Sequence, residues 1–101
     1  NIKVREAACW AHLRRDFHDA WKATGSAIAK EAIDRIGAVY DIERGITGTS
    51  SENRLAVRQK ESKPKVVAFK AWAEDQLRRI FGKGDLAKAF RYALTRWPSF
   101  T

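Results

Sequence analysis

One stretch shows the helical spacing of apolar residues that the rest of the chain follows: Trp10-Ala11-His12-Leu13-Arg14-Arg15-Asp16-Phe17-His18-Asp19-Ala20-Trp21. Its large apolar side chains recur at steps of three and four residues, which places them along one side of an α-helix. Gly25 then ends the helix, and Ser26 is a typical N-cap residue for the next one. The sequence therefore predicts a helical start to the fold.

A second helix and a loop follow. Residues 28–40 repeat the apolar spacing of the first segment. Residues 45–50 then break it with two glycines and three hydroxyl side chains, which predicts a loop. The loop ends in an N-cap at Ser50 or Ser51, where the third helical segment begins.

The third segment is long, and the fourth is short. Residues 52–81 keep a near-heptad apolar spacing, but Pro64 lacks an N–H and its ring clashes with the preceding turn. We therefore predict a kink or a short break near residues 62–64. Asp85 is the predicted N-cap of the last helix, which Pro98 stops.

The fold class that these segments predict is all-α, with four or five helices packed as an irregular antiparallel bundle. Apolar and polar residues alternate with period two only in residues 2–10, where Ile2 and Val4 are compatible with a short strand. Such a strand would need a sheet to receive it, because alone its backbone groups have no partners.

Composition limits the class of protein. A length of 101 residues predicts one domain, or part of one. The net charge of +8 favours acidic partners, nucleic acid before membrane. The single cysteine excludes an internal disulfide, and no apolar run approaches the ~20 residues that a membrane span needs. Residue 1 is Asn and the chain has no Met, so we expect an internal fragment or a processed chain, located in the cytoplasm.

No residue pattern predicts catalysis or metal binding in this chain. Cys9 and His12 have the spacing of metal ligands, but a structural zinc site needs four ligands and the chain has one Cys and two His. Asp16 and Asp19 lie one turn apart among basic residues, which is typical of a solvated helix surface. A two-metal site would need acids that converge from different elements. We therefore predict no catalytic residue, no metal ligand and no cofactor.

The basic residues are better candidates for binding. Two groups stand out: the pair Arg14-Arg15, and a run in the third segment that only Glu61 opposes, made of Arg58, Lys60, Lys63, Lys65 and Lys70. Each contact with a phosphate would add affinity that salt weakens, whereas the alternative is an ordinary solvated helix face. The four tryptophans could stack on exposed bases, but their place on apolar stripes favours the core.

The stretch at residues 9–17 is Cys9-Trp10-Ala11-His12-Leu13-Arg14-Arg15-Asp16-Phe17. It resembles a signature of bacterial DDE transposases of the insertion sequence 66 family. Three later stretches resemble the same family in the same order, at residues 29–43, 54–59 and 86–94. Together they extend the resemblance over nearly the whole chain.

This resemblance implies a catalytic core similar to ribonuclease H, in which two Asp and one Glu bind two divalent ions, Mg or Mn. Such a core cuts transposon ends and joins them to target DNA. The resemblance places residues 1–101, as a single helical domain, between the second and third of these acids. The chain would then be a helical insertion that lacks all three, and we expect it to be inactive alone. Residues 1–12 would belong to the parent core, with Cys9 and His12 supporting the active site.

Two functions follow as hypotheses. The resemblance implies a bacterial, nucleoid-associated protein whose partners are transposon-end DNA and the rest of the catalytic core. In the first hypothesis the insertion contacts the DNA backbone near the active site. In the second it is a structural module whose near-heptad third segment mates with a partner helix, as in a homodimer. Sedimentation without DNA would give a monomer in the first case and a dimer in the second.

Overall fold

A computed structural model describes the backbone of residues 2–80 and 84–100 and the side chains of residues 8–80 and 84–98. Within these ranges every regular element is helical and no strand forms, which confirms the all-α bundle. The elements are α1 (Ile2–Thr24), α2 (Ala27–Ile46), α3 (Ser51–Val57), a π-turn (Arg58–Ser62), α4 (Lys63–Arg79), α5 (Asp85–Thr95) and a 3₁₀ turn (Trp97–Phe100).

The predicted boundary between the first two helices is confirmed. Gly25 follows α1 with φ 68°, a left-handed conformation that favours glycine, and its N–H donates to the carbonyl of Trp21 at 2.7 Å. Ser26 caps α2, and its Oγ accepts the N–H of Ala29 at 3.2 Å. Since only two residues separate α1 from α2, the pair packs as an antiparallel hairpin.

The end of α2 and the N-cap of α5 lie one or two residues from their predicted positions. The helix α2 continues through Ile46, past the predicted start of the loop, and Ile46 is buried there. Of the two serines predicted as the N-cap of α3, Ser50 is the cap, and its Oγ accepts the N–H of Asn53 at 3.1 Å. The N-cap of α5 is Gly84 and not Asp85, which lies in the first turn of the helix. A negative charge there still favours the helix, because it faces the positive end of the helix dipole.

The start of the chain is helical. Residues 2–10, where the sequence left a short strand open, form the first turns of α1. No sheet exists within the described ranges to pair with a strand, and a helix satisfies these backbone groups internally. The predicted end of the third segment, at residues 81–83, lies outside the described residues. No helix among those described combines the length and apolarity that crossing a membrane requires.

Pro64 shapes the rod that runs from α3 through the π-turn into α4. In this turn the N–H of Lys63 donates to the carbonyl of Arg58, five residues back. The wider turn leaves Pro64 in the first turn of α4, where its missing N–H is not needed. The predicted irregularity is therefore a π-turn that begins at Arg58, earlier than expected, and the rod is not broken.

The core forms where α1 packs between the other helices. Its largest fully buried side chains each contribute roughly 1.5–3 kcal/mol by leaving water; they are Phe17, Phe69, Phe90, Leu13 and Ile36. Aromatic rings meet edge to face, with centroids 4.9 Å apart for Phe17 and Phe90 and 5.6 Å apart for Trp10 and Phe69. The apolar stripe of α1 is thus buried as predicted, except for Trp21, which is 37% exposed.

Small side chains supply much of the remaining core. Alanine accounts for seven of the fourteen buried apolar residues in the described ranges: Ala20, Ala29, Ala32, Ala73, Ala87, Ala89 and Ala93. Because a methyl group takes little space, the helices can approach closely at these positions. The large aromatic side chains fill the gaps between these close contacts.

Candidate functional site

The Cys9 and His12 pair lies on α1 and faces α5. The imidazole of His12 stacks on the ring of Tyr92 with centroids 4.6 Å apart, and its Nε2 lies 3.3 Å from Oδ2 of Asp16. The guanidinium of Arg96 lies 4.9 Å from the centroid of the same tyrosine ring. Burial raises the pKa of Tyr92, the neighbouring Cys9 raises it further, and Arg96 opposes both effects. Tyr92 therefore connects this sequence motif to the last helix.

This arrangement offers no metal site of its own. Within the described residues no three His, Cys, Asp or Glu side chains come together in a group that could hold an ion. Asp16 instead faces His12 on the same helix.

Arg14 and Arg15 lie along a shallow groove between α1 and α2. They line it together with His18, Ile33 and Tyr40. The guanidinium of Arg14 lies 5.8 Å from the centroid of the Tyr40 ring; burial raises the pKa of Tyr40, and the charge of Arg14 partly offsets this. No carboxylate in the described ranges pairs with Arg14 or Arg15, so both guanidinium groups can meet a phosphate.

The four lysines of the second group lie on the rod formed by the π-turn and α4. Lys60, Lys63, Lys65 and Lys70 are all exposed, and no described carboxylate forms an ion pair with them. Lys63 and Lys70 are seven residues apart in α4, about two turns, and so they share a face of the helix. Lys65 is two residues beyond Lys63 and therefore points toward a different side.

Arg58 has a different environment from these lysines. Its Nε and Nη2 donate to the two carboxylate oxygens of Glu43 at 2.9 and 2.8 Å. This bidentate pair is about two-thirds buried on both sides and joins the π-turn to α2 across fifteen residues. Arg58 therefore has a structural role in the bundle, whatever else it contacts.

The structure does not bring the two predicted basic groups onto one surface. On α2, Ile33 and Tyr40 face the groove that holds Arg14. Arg35 faces α4 instead, where its guanidinium lies 4.7 Å from the centroid of the Trp72 ring. Because positions 33 and 35 are about 200° apart around a helix, the groove and the α4 rod lie on different sides of α2.

Sequence reasoning missed a cluster around Trp21. The ring of His18 lies 5.9 Å from the Trp21 ring, and Nζ of Lys30 lies 5.7 Å from its centroid. Periodicity assigned Trp21 to the core because it falls on the apolar stripe of α1. It lies outside the core because the last turn of α1 is exposed on all sides, as the exposure of residues 21–25 indicates. Periodicity alone carries no signal of where the packing partner ends.

Comparison with known proteins identifies the family. The chain matches the family described as "Transposase IS66 family" over residues 1–101. Three uncharacterized proteins of Sinorhizobium fredii (strain NBRC 101917 / NGR234) are similar to it. The chain is 43% identical to y4jD over 93% of its own length, 36% identical to y4qI over 95%, and 33% identical to y4hP over 98%.

The chain spans about a fifth of these curated relatives, since the match covers 18% of y4jD, 18% of y4qI and 20% of y4hP. No solved structure matches it significantly. The family match covers the whole chain, and it includes the Cys9 and His12 motif and both basic groups. The chain therefore belongs to the IS66 family of transposases.

Proposed function

We propose that this chain is a helical insertion in a transposase catalytic domain, and that it holds the DNA backbone of a transposon end near the active centre. Membership of a transposase family supports a role in transposition. The insertion would lie between the second and third catalytic acids, and residues 1–12 would continue into the core. Cys9 and His12 would brace that junction, because Tyr92 ties them to α5. The two divalent ions would be bound elsewhere in the longer protein.

The observation that carries this proposal is the division of the basic side chains into paired and unpaired groups. Among the described residues six of them lie within ion-pair distance of a carboxylate: Lys30, Arg35, Arg44, Arg58, Arg78 and Arg79. Six of the seven predicted contact residues have no such partner among the described residues: Arg14, Arg15, Lys60, Lys63, Lys65 and Lys70. Unpaired like charges repel one another, and a bound phosphate backbone would relieve that repulsion.

The oligomerisation hypothesis has less support from the packing. The near-heptad seam of the third segment would have to be free to mate with a partner helix. Ser62, Phe69 and Ala73 on this seam are instead buried within the same chain. Leu55 remains 61% exposed, but it lies alone at the start of the seam. A dimer contact therefore stays the second candidate.

The test is binding of the chain to labelled duplexes over a series of salt concentrations. One duplex carries the terminal repeat of the parent element and the other a scrambled sequence. We expect binding to both, with an affinity that falls linearly on a log–log plot against salt. The variant Lys63→Gln/Lys70→Gln should reduce that slope by about two, since it removes two phosphate contacts.

A matched control separates local contact from general charge. Arg78→Gln/Arg79→Gln removes two charges from the other end of α4, where both guanidinium groups already pair with Asp75. We expect the control to change the slope by less than one. If both double variants reduced the salt slope equally, Lys63 and Lys70 would not be specific phosphate contacts. Absence of binding at low salt would refute the proposal and favour a scaffold or dimer contact.

A further inference from the structure

The end of α1 carries a side chain that neither the core nor the phosphate contacts explain. Trp21 is 37% exposed, and among the exposed large apolar side chains of the described ranges it is the one aromatic. Two others, Leu55 and Val67, lie on the rod of α3 and α4. A tryptophan buries more apolar area than most side chains when it leaves water, so a binding partner that covered Trp21 would gain free energy from that burial.

The surroundings of Trp21 are basic and continue into the α1–α2 groove. His18 packs near the indole and also lines the groove beside Arg14 and Arg15. The ammonium of Lys30 lies 5.7 Å from the indole centroid and also lines the part of the groove that contains Arg14.

Carboxylates offset part of the charge of this groove. Asp34 pairs with Lys30 at 2.6 Å, and Asp41 pairs with Arg44. Arg14 and Arg15 have no such partner in the described ranges. The groove therefore keeps a net positive charge, since Arg14, Arg15, Lys30 and Arg44 line it against Asp34 and Asp41.

We infer that Trp21 stacks on an unpaired DNA base while the backbone of the same strand follows Arg14 and Arg15 along the groove. This inference rests on the proposed function and names the part of the DNA that the groove receives. Bases inside a duplex are stacked on one another, so an indole can reach only an unpaired one. Aromatic platforms beside cationic grooves bind single strands in this way and tolerate any base, since every base has a π-face.

The distances along α1 suit such a strand. Arg14 and Trp21 are seven residues apart on one helix, about 10 Å of axial rise. That length corresponds to roughly three nucleotides at the spacing of about 3.4 Å per nucleotide of a stacked strand. An extension of three nucleotides could thus reach from the arginine pair to the indole.

The experiment compares three labelled DNAs by fluorescence anisotropy with the 101-residue chain. The first is a blunt duplex, the second adds a single-stranded extension of three nucleotides, and the third replaces the bases of that extension with abasic sites. We expect the wild-type chain to bind the second DNA about tenfold more tightly than the first or the third. Trp21→Ala should lose this tenfold preference and bind the blunt duplex as the wild type does.

Two variants serve as controls. Trp21→Phe keeps an aromatic face and should retain most of the preference for the extension. Val67→Ala shortens another exposed apolar side chain, away from the groove, and should leave all three affinities unchanged. Circular dichroism melts should show that each variant folds, as expected for changes at exposed positions.

The outcomes separate this inference from the proposed function. Equal wild-type affinity for the blunt and the extended duplex would overturn the role of Trp21 and leave backbone binding intact. The same conclusion would follow if Trp21→Ala weakened both duplexes equally. If the wild-type chain bound none of the three DNAs, the proposed function itself would fail and the inference with it.

Discussion

Two serines that look alike in the sequence have opposite environments in the fold. Ser50 is exposed, and its Oγ accepts the N–H of Asn53 at 3.1 Å at the start of α3. Ser62 is buried in the π-turn, and its Oγ has no hydrogen-bond partner among the described groups. The first hydroxyl stabilises a helix end, whereas the second costs the free energy of losing its contact with water.

We predict opposite effects of the same substitution at these two positions. Ser62→Ala should raise the free energy of unfolding by up to about 1 kcal/mol, because it removes an unsatisfied buried hydroxyl. Ser50→Ala should lower the free energy of unfolding by about 1 kcal/mol through loss of the cap. Urea unfolding of the three proteins would measure both. A loss at Ser62 as large as that at Ser50 would mean that the buried hydroxyl does have a partner.

Individual residue roles were predictable where they depend on near neighbours in sequence. The capping function of Ser50 follows from its place at a loop end, and the structure confirms it. The sequence grouped Arg58 with the lysines because nothing local distinguishes it from them. Its environment depends on Glu43, fifteen residues earlier, and that distance carries no sequence signal.

At the scale of elements, the π-turn is the feature that reconciles a proline with a long helical rod. In a regular α-helix the ring of Pro64 would clash with the carbonyl of Lys60, four residues before it. The extra residue in the turn moves that carbonyl aside, and α4 then begins one residue before the proline. Such one-residue expansions are typical of π-turns inside otherwise regular helices.

The role of this turn can be tested with a deletion and a substitution. Deleting Lys60, which is exposed, should convert the π-turn to a regular turn and place Pro64 in a helix interior. The expected loss in the free energy of unfolding is about 3 kcal/mol. Adding Pro64→Ala to the deletion should recover most of it, whereas Pro64→Ala alone should change stability much less. Additive effects in a double-mutant cycle would contradict this account.

Element types were predictable from the sequence, and hydrogen-bond register was not. Apolar spacing and capping residues are local signals, so they located the four helical segments and most of their ends. A π-turn changes only which carbonyl an N–H reaches, and it leaves the apolar spacing almost as it was. Pro64 therefore predicted that an irregularity exists, but not that it begins at Arg58.

At the scale of the molecule, the described residues form an elongated body of 45 × 23 × 22 Å. Its radius of gyration is 14.0 Å, above the roughly 13 Å of a compact domain of this length. The rod of α3, the π-turn and α4 covers residues 51–79, and at 1.5 Å per residue it is about 43 Å long, close to the longest dimension of the body. On the near-heptad seam of the third segment, Ser62, Phe69 and Ala73 are buried by packing within the chain.

We therefore predict that the chain sediments as a monomer of 11.5 kDa without DNA. The seam that could have mated with a partner helix is occupied by intramolecular packing, and positive charges around it would repel a second copy. Analytical ultracentrifugation over a range of protein concentrations would measure this. A concentration-dependent dimer that Leu55→Asp abolishes would favour the oligomerisation hypothesis instead.

The arrangement of the candidate surfaces was the least predictable feature. Both basic groups were identifiable from the sequence as runs of like charge, but whether they share a surface depends on how α2 packs between them. The charge pattern of a sequence shows where along the chain basic residues occur. It does not show which side of the helical bundle they face. The exposure of Trp21 was missed for the same reason, since the apolar stripe of α1 continues beyond the helix that covers it.

The alanines of the core have a consequence for how this sequence can change over time. In a core of large side chains most damaging replacements are those that shrink a residue and leave a cavity. Among the described residues half of the buried apolar positions are already small, so the harmful replacements there are those that enlarge a residue, at about 1–3 kcal/mol each. Single substitutions that enlarge one of these alanines are therefore disfavoured, and these positions should stay small. Lasting change would come through compensated pairs, in which one side chain grows where its neighbour shrinks.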